Sequence, residues 1–407
     1  MRILINGTNY HPEKIGIGKY SGEMAEWLVS RGHEVRVVTA PPYYPEWRIQ
    51  SGYSAWRYSR ELVAGVDVWR CPLWVPQKLS GLKRLLHLAS FALSSMPVML
   101  RQVFWKPDVV LVIEPPLMCA PIAWLTAKLC GAKSWLHIQD FEVDAAFEMG
   151  ILQSPRMRRF ALWCEYQLMS RFDRISTISI KMQEKIIGKS IAPSKTCLFL
   201  NWVDTSAIFP VSSKCSFRAT LGIPKDKVVA LYSGNMGEKQ GLEVVVEAAR
   251  LLAENSEIQF VLCGDGAAKT RLQSIATGLS NISWMSLQPT ERLNDLLNLA
   301  DVHLLPQRAD VADLLMPSKL LGMLASGRPV LATSYPDTQV GQIVANCGQL
   351  SPPGDAQALA DRLRILAVDP DTRAALGREA RMLAECHFGH DAVLSSFELE
   401  LKKLLKL

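Results

Sequence analysis

The residues best suited to chemistry lie in two stretches of the second half of the chain: Tyr232-Ser-Gly-Asn-Met-Gly-Glu-Lys-Gln-Gly-Leu242 and Met316-Pro-Ser-Lys-Leu-Leu-Gly-Met-Leu-Ala-Ser-Gly-Arg-Pro-Val330. Each sets small residues and a lysine between an apolar run and a run of helical periodicity. That is the local chemistry of a diphosphate site. Small residues let backbone N–H groups approach the oxygens, the following helix points its positive end at them, and a lysine adds a full charge. Asn235, Lys239, Ser318 and Lys319 are the expected phosphate ligands, and Gly234 is expected along the nucleotide. Ser318 is expected to N-cap the helix that runs on to Ala325, with Lys319 beside the exposed N–H groups. Leu262-Cys-Gly-Asp-Gly266 repeats the strand-then-glycine pattern, so Gly264, Asp265 and Gly266 are expected along a nucleotide, with Leu287 as a further contact.

The first half offers two more candidates. Asn6-Gly-Thr-Asn-Tyr-His-Pro-Glu-Lys-Ile-Gly-Ile-Gly18 follows an apolar strand and precedes a helix, and Gly16 and Gly18 let amides meet a phosphate or a sugar hydroxyl. The spacing is not G-x-G-x-x-G, so the dinucleotide fingerprint is not met. Trp135-Leu-His-Ile-Gln-Asp-Phe-Glu-Val-Asp144 ends a strand in polar residues at the sheet edge where open α/β sheets bind ligands. His137 and Asp140, and after them Glu142 and Asp144, are candidates for holding a second substrate or moving a proton. No metal site is expected. Asp369-Pro-Asp371 lies in a late loop, so lysine and helix termini must neutralise a leaving diphosphate.

Strands and helices must alternate to position these groups. Ile3–Ile5, Val35–Thr39, Val66–Trp69, Val109–Ile113, Ser134–Ile138 and Ile175–Ile178 read as strands of a first half. Val228–Tyr232, Gln259–Cys263, Ile282–Met285, Val302–Leu305, Val330–Ala332 and Gly348–Leu350 read as strands of a second, with helical patterns between them. Alternation twice over in 407 residues predicts an α/β protein of two doubly wound domains, 1–200 and 201–387, with a C-terminal helix at about 388–407 packing back on the first.

Nine cysteines are scattered without a C-x-x-C pair, which argues for buried thiols in a reducing compartment. The longest apolar stretch, Leu88 to Leu100, is too short to span a bilayer. Residues 1–205 carry 25 Lys and Arg against 17 Asp and Glu, whereas 206–407 carry 20 against 22, so an anionic partner is expected on the first half. Between Trp74 and Trp105, Lys78, Lys83, Arg84, Arg101 and Lys106 flank Leu82, Leu85, Leu86, Leu88, Phe91, Leu93 and Met96. That composition suits a helix lying in a membrane interface, apolar face inserted and basic residues at lipid phosphates. A helix whose apolar side is ordinary core has the same composition.

The chain resembles glycosyltransferase family 4. Pro12 with Gly16-Ile-Gly18, Arg31-Gly-His-Glu-Val35, Asn201-Trp-Val-Asp204, Gly264-Asp-Gly266, Ala300-Asp-Val-His-Leu-Leu-Pro306 and Ala325-Ser-Gly-Arg-Pro-Val330 fall in that family's order and spacing. The resemblance implies the GT-B fold of two facing Rossmann-like domains. It also implies a retaining, metal-independent transfer with no cofactor beyond the nucleotide diphosphate sugar donor. Thr8-Asn-Tyr-His-Pro12, Ala40-Pro-Pro-Tyr-Tyr-Pro45, His137-Ile-Gln-Asp140 and Gln240-Gly-Leu242 are similar to the subgroup of bacterial colanic-acid-type exopolysaccharide assembly. That likeness implies fucosyl transfer from GDP-fucose to a lipid-diphosphate-linked oligosaccharide, by a cytoplasmic enzyme peripheral on the inner membrane face, with no nucleic-acid partner. The chain departs from the family pattern where two glutamates usually stand, at Leu314 and Gly322, and where Asn235 and Gln240 replace an Arg and a Lys. Lys239, Ser318 and Lys319 are left for the phosphates and Asp310 or Asp313 for the donor sugar. A non-catalytic nucleotide-sugar-binding or assembly protein of the same pathway is the alternative.

Overall fold

The computed structural model describes residues 1–78, 80–148, 154–211, 216–254, 257–309 and 317–407. These residues form two compact units, Met1–Leu200 with Leu394–Leu407, and Asn201–Val393.

The first unit is built on an eight-stranded sheet. Its strands are β1 (Arg2–Asn6), β2 (Glu34–Thr39), β3 (Ser59–Val63), β4 (Val66–Arg70), β5 (Val109–Glu114), β6 (Lys133–Ile138), β7 (Arg174–Thr177) and β8 (Thr196–Leu198), in the order β3-β4-β2-β1-β5-β6-β7-β8. Only β3 runs antiparallel to its neighbour. β1 and β5 are apolar and buried along nearly their whole length, as parallel strands covered on both faces must be. The six expected strands are present within a residue or two, and β3 and β8 add to them. β3 carries Arg60 and Glu61 on a largely exposed edge, so no apolar run announces it. It exists because Ala64 and Gly65, both at positive φ, close a tight hairpin with β4.

Three helices of this unit position the loops and the outer surface. α1 (Gly16–Ser30) leaves β1, α2 (Gly81–Arg101) crosses under the sheet, and α3 (Ala120–Cys130) packs on α2. The C-terminal helix His390–Leu405 belongs mostly to this unit. Phe397 stacks on Phe199 with ring centres 4.1 Å apart and meets Trp135 edge-on at 5.1 Å. The buried Glu398 carboxylate accepts from Lys402 (2.7 Å), His33 (3.2 Å) and Arg31 (3.4 Å).

The second unit has a six-stranded, all-parallel sheet. Its strands are β9 (Val228–Ser233), β10 (Ile258–Cys263), β11 (Ile282–Met285), β12 (Val302–Leu305), β13 (Val330–Thr333) and β14 (Gly348–Ser351), in the order β11-β10-β9-β12-β13-β14. These are the six strands expected; β9, β10, β12 and β13 are short, largely apolar runs, whereas β14 (Gly-Gln-Leu-Ser) is mostly polar. The strand order reverses between β9 and β12, as it does between β1 and β5 in the first unit. Such switch points open a crevice at the carboxyl ends of the strands. The second unit's candidate loops and the Gly16–Gly18 loop after β1 lie at one, whereas His137 to Asp144 lie at the end of β6, one strand beyond the switch.

Truncation of Phe397 tests the role of the C-terminal helix. Phe397→Ala is expected to cost about 3 kcal/mol, the loss typical of a buried aromatic. Urea denaturation followed by tryptophan fluorescence should show it; a loss under about 0.5 kcal/mol would detach the helix from the core of the first unit.

Candidate active site

In the second unit the switch point gathers the loops that follow β9, β10 and β12. The loops after β9 and β10 are stitched together: Gly234 N–H donates to Cys263 O (3.0 Å) and Met236 N–H to Asp265 O (2.7 Å). The fit needs glycine at 264, because its φ is +154° and a Cβ there would stand 1.9 Å from Gly234 O. Gln240, standing where the family usually has a lysine, accepts the Gly237 N–H through Oε1 (3.1 Å) and so tightens the loop.

Lys319 supplies the charge. It is the first residue of the helix Lys319–Ala325, and its stem passes Gly234. Nζ donates to Tyr232 Oη (3.3 Å) and lies 4.3 Å from the centre of the same ring; that hydroxyl in turn donates to Asn235 O. No ion pair to Lys319 is present among the described residues. Burial without a counter-charge pushes its ammonium down to about 8, whereas burial pushes the Tyr232 phenol up. At neutral pH the ammonium is still mostly charged, and a charged lysine that lacks an ion pair among the described residues at a loop crevice is suited to receive an anion.

The other expected residues fall around it. Asn235 and Lys239 are exposed on the loop, Lys239 within the short turn Glu238–Gln240. Asp265 is exposed and turned back on its own loop, accepting Gly266 N–H (2.9 Å), and Leu287 stands exposed beyond β11. Ser318 precedes the helix but does not cap it. Its backbone is already helical (φ −56°, ψ −26°), where the hydroxyl cannot reach the N–H groups it would satisfy, so the positive charge here is that of Lys319. Asp310, Asp313 and Leu314 lie outside the described residues. Sequence reasoning misses Tyr232 as a polar partner and Arg308 altogether. The Arg308 stem lies along Gly241, bringing a second cation to the loop. Its signal is its place just past β12, on the other side of the switch point.

In the first unit the strand-end candidates separate. His137 is sealed between β6 and β7 instead of facing a substrate: Nδ1 is 2.9 Å from Ser176 Oγ, Nε2 is 3.0 Å from Gln139 Nε2, and the ring packs on Phe199. Burial pushes it down to about 3, so the imidazole stays neutral. It orders the strand end, and its nitrogens are taken. Asp144 is bound by Lys189 (2.7 Å) and Lys185 (3.3 Å). Asp140 is half-buried beside Glu142, whose carboxylate accepts Leu117 N–H (2.7 Å). Glu114, missed in the sequence, ends β5 fully buried, and burial with Glu142 and Glu165 nearby holds its carboxyl well above the usual range. Gly16 opens α1 in a left-handed conformation. The space left by the missing Cβ of Gly18 is filled by Glu13, whose carboxylate accepts from Tyr43 N (2.9 Å), Tyr44 N (3.0 Å) and Asn9 Nδ2 (2.9 Å).

α2 has two apolar sides. His87, Leu88, Phe91, Ala92, Val98 and Met99 are buried, so Leu88 and Phe91 are core and not membrane-facing as expected. Leu82, Leu86, Leu93, Met96 and Leu100 are exposed, within about 40° of one line on the opposite side, and the exposed Phe104 follows. Lys78, Lys83, Arg101 and Lys106 are exposed, whereas Arg84 lies on the core side, close enough to Glu142 to oppose in part the burial that pushes that carboxyl up. Among the described residues no helix is long and apolar enough to cross a membrane.

Solved structures with the same architecture place the fold. Sucrose-phosphate synthase from Thermosynechococcus elongatus superposes with a TM-score of 0.76 at 17% identity, over 100% of this chain and 99% of that one. HepE of Anabaena, solved with UDP and glucose, gives 0.68 at 16% identity over 99% and 100%. The fold is GT-B, the architecture of nucleotide-sugar glycosyltransferases. Residues 16–202 match the glycosyl transferase 4-like domain and residues 213–382 the glycosyl transferases group 1. An Escherichia coli (strain K12) protein, WcaI, whose name assigns it to colanic acid biosynthesis as a glycosyl transferase, is 45% identical over 350 residues, 84% of this chain and 86% of its own. A Streptomyces avermitilis D-inositol 3-phosphate glycosyltransferase is 28% identical over 68% of this chain and 61% of its own. The chain belongs to glycosyltransferase family 4 and is a glycosyltransferase that uses a nucleotide-sugar donor.

If the Lys319 ammonium meets the diphosphate, affinity must follow its protonation. The charged form binds, so affinity is full well below pH 8 and falls above it, the complex holding the proton more tightly than the free protein. Isothermal titration with GDP should show Kd rising about tenfold from pH 7 to pH 9 in the wild type. In Lys319→Arg, charged throughout, the profile should be flat. A flat wild-type profile would remove Lys319 from the diphosphate.

Proposed function

We propose that this enzyme transfers fucose from GDP-fucose, without a metal and with retention, to a lipid-diphosphate-linked oligosaccharide at the cytoplasmic face of the inner membrane, in the assembly of a colanic-acid-like exopolysaccharide. The observation that carries the donor half is Lys319 at the switch point of the second sheet, half-buried, hydrogen-bonded to Tyr232 and without an ion pair among the described residues. Lys319 and Arg308 supply the charge for a leaving diphosphate that a metal supplies elsewhere. The UDP-glucose complex of HepE supports a nucleotide-sugar donor, and the kinship with WcaI supports the pathway.

The membrane half rests on α2. A helix whose outer side exposes Leu82, Leu86, Leu93, Met96 and Leu100 in line, with Lys83 and Arg101 on one flank, matches an interfacial helix. Leaving that much apolar surface in water is costly unless something covers it. An acceptor carried by a lipid brings the covering surface with it.

Two experiments test the reading. Purified protein incubated with UDP-, GDP- and dTDP-sugars and a lipid-diphosphate-linked acceptor should release GDP from GDP-fucose, in chelator as in manganese. Lys319→Ala should lose about 2 kcal/mol or more of transition-state stabilisation. Release from another sugar nucleotide would reassign the donor, release only with manganese would contradict the metal-independent route, and none from any would favour a binding protein. In vesicle sedimentation the protein should bind anionic vesicles and leave them in high salt, with Leu93→Glu/Phe104→Glu binding at least tenfold more weakly. Equal binding by wild type and variant would take α2 out of the membrane.

A further inference from the structure

The first unit contains a cavity of about 570 Å³ that the donor chemistry does not use. Its volume is in the range of small-molecule sites, about 300–1,000 Å³. Three tryptophans, Trp47, Trp56 and Trp74, line it, with Arg48, Lys83 and Gln77, and no carboxylate of the described residues is among its walls.

The walls are fixed by α2. His87 Nδ1 donates to Trp74 O (2.7 Å), and Trp74 N–H donates to Ser90 Oγ (3.1 Å), whose hydroxyl donates back to His87 O (2.7 Å). The His87 ring also packs on Trp47 (5.1 Å between centres) and on Tyr43 (4.8 Å), and Tyr43 packs on Trp47 in turn (5.5 Å). Trp47 is held at φ +51°, a left-handed backbone that a bulky residue seldom adopts. A chain that keeps a tryptophan in such a conformation, fixed by two rings, has a use for where its indole stands. Trp56 is 75% exposed, a large apolar surface left uncovered at the cavity.

The geometry points to a subsite for the sugar–phosphate end of the acceptor, a pyranose linked through phosphate to a lipid; this rests on the glycosyl-transfer reading. A pyranose offers C–H groups of partial positive charge that lie against the negative face of an aromatic ring. Gln77 serves its hydroxyls. Arg48 and Lys83, both exposed and facing no carboxylate in the cavity, suit an adjoining phosphate. Position commits the occupant to a lipid-linked one. Lys83 lines the cavity from the first turn of α2, and Leu82 in that turn and Leu86 one turn on begin the exposed apolar stripe. A chain lying on the stripe presents its headgroup at the cavity. Lys83 thus faces the acceptor's phosphate, a narrower role than membrane contact at large.

Fluorescence titration of the full chain with farnesyl-diphosphate-linked glucose, farnesyl diphosphate and glucose 1-phosphate tests this. The sugar-bearing lipid should bind tightest. Trp56→Ala should weaken it about tenfold, and Lys83→Gln about fivefold, while both variants keep the wild-type Kd for GDP, which reports that they fold. In the transfer assay the acceptor KM should rise by the same factors with the donor KM unchanged. Three results would overturn the assignment: farnesyl diphosphate binding as well as the glucose-bearing probe, glucose 1-phosphate alone binding as well, or both variants matching wild type. Trp56-dependent binding in a protein that transfers no sugar would keep this subsite and sink the glycosyl-transfer reading instead.

Discussion

A lysine ammonium largely withdrawn from water, with a phenol and its ring as its partners among the described residues, is the constraint on which the second unit turns. The loss of hydration at Lys319 is not returned by any ion pair among the described residues. Tyr232 passes the interaction to the backbone of Asn235, so the lysine is fixed before any ligand arrives. The rest of the local design depends on that fixed charge. The loops after β9 and β10 lock together through a glycine that no other residue can replace, Gln240 ties down its own loop, and Arg308 brings a second cation to the same edge. A preorganised charge in a partly desolvated crevice is worth far more to a leaving diphosphate than the same charge in water. The sheet supplies the crevice because its strand order reverses there.

The first unit spends its chemistry differently. Its buried polar groups are largely occupied with one another: Glu13 with the Tyr43–Tyr44 backbone, His137 with Ser176, Lys189 with Asp144 and Glu165. They hold loops at the sheet edge in place. What remains turned outwards is aromatic, apolar and basic, concentrated on α2 and the segments it supports. One helix therefore completes the core with one side, fixes two tryptophans with His87 and Ser90, and offers its other side to a surface. On the function proposed above, the two units divide the reaction by chemistry, one for an anion in a polar crevice and one for a sugar on a lipid.

How much of this is legible in the sequence depends on how distinct each signal is. Most of β9 to β14 are legible because they are short, largely apolar runs ended by glycine or a polar residue, and the glycine and lysine motifs read as diphosphate-binding sit at the ends of such runs. β3 is not, since its identity lies in the positive-φ turn Ala64-Gly65 and its own residues are charged. α2 is recognisably amphipathic, but apolar residues occur on both of its sides. Periodicity alone does not say that Leu88 and Phe91 face the core while Leu82 and Leu93 face out. The sequence puts His137 at the right strand end and suggests the wrong task for it. The strand-end rule locates the edge, whereas β6 is covered on both faces, so that every side chain from Ser134 to Ile138, His137 among them, is sealed inside. Ser318 is likewise at the right place with the wrong role, because capping depends on a backbone angle that composition does not encode. The tryptophan cavity joins residues from 47 to 83 that no motif links, and only the packing of the 41–58 loop on α2 brings them together.

The central claim, that Lys319 is the diphosphate ligand, is tested most directly by a crystal structure of the protein with GDP. The account predicts Lys319 Nζ within about 2.7–2.9 Å of a β-phosphate oxygen, as in charge-assisted pairs generally, with Tyr232 still hydrogen-bonded to the loop. A diphosphate bound elsewhere, with Lys319 still turned onto Tyr232, would contradict it.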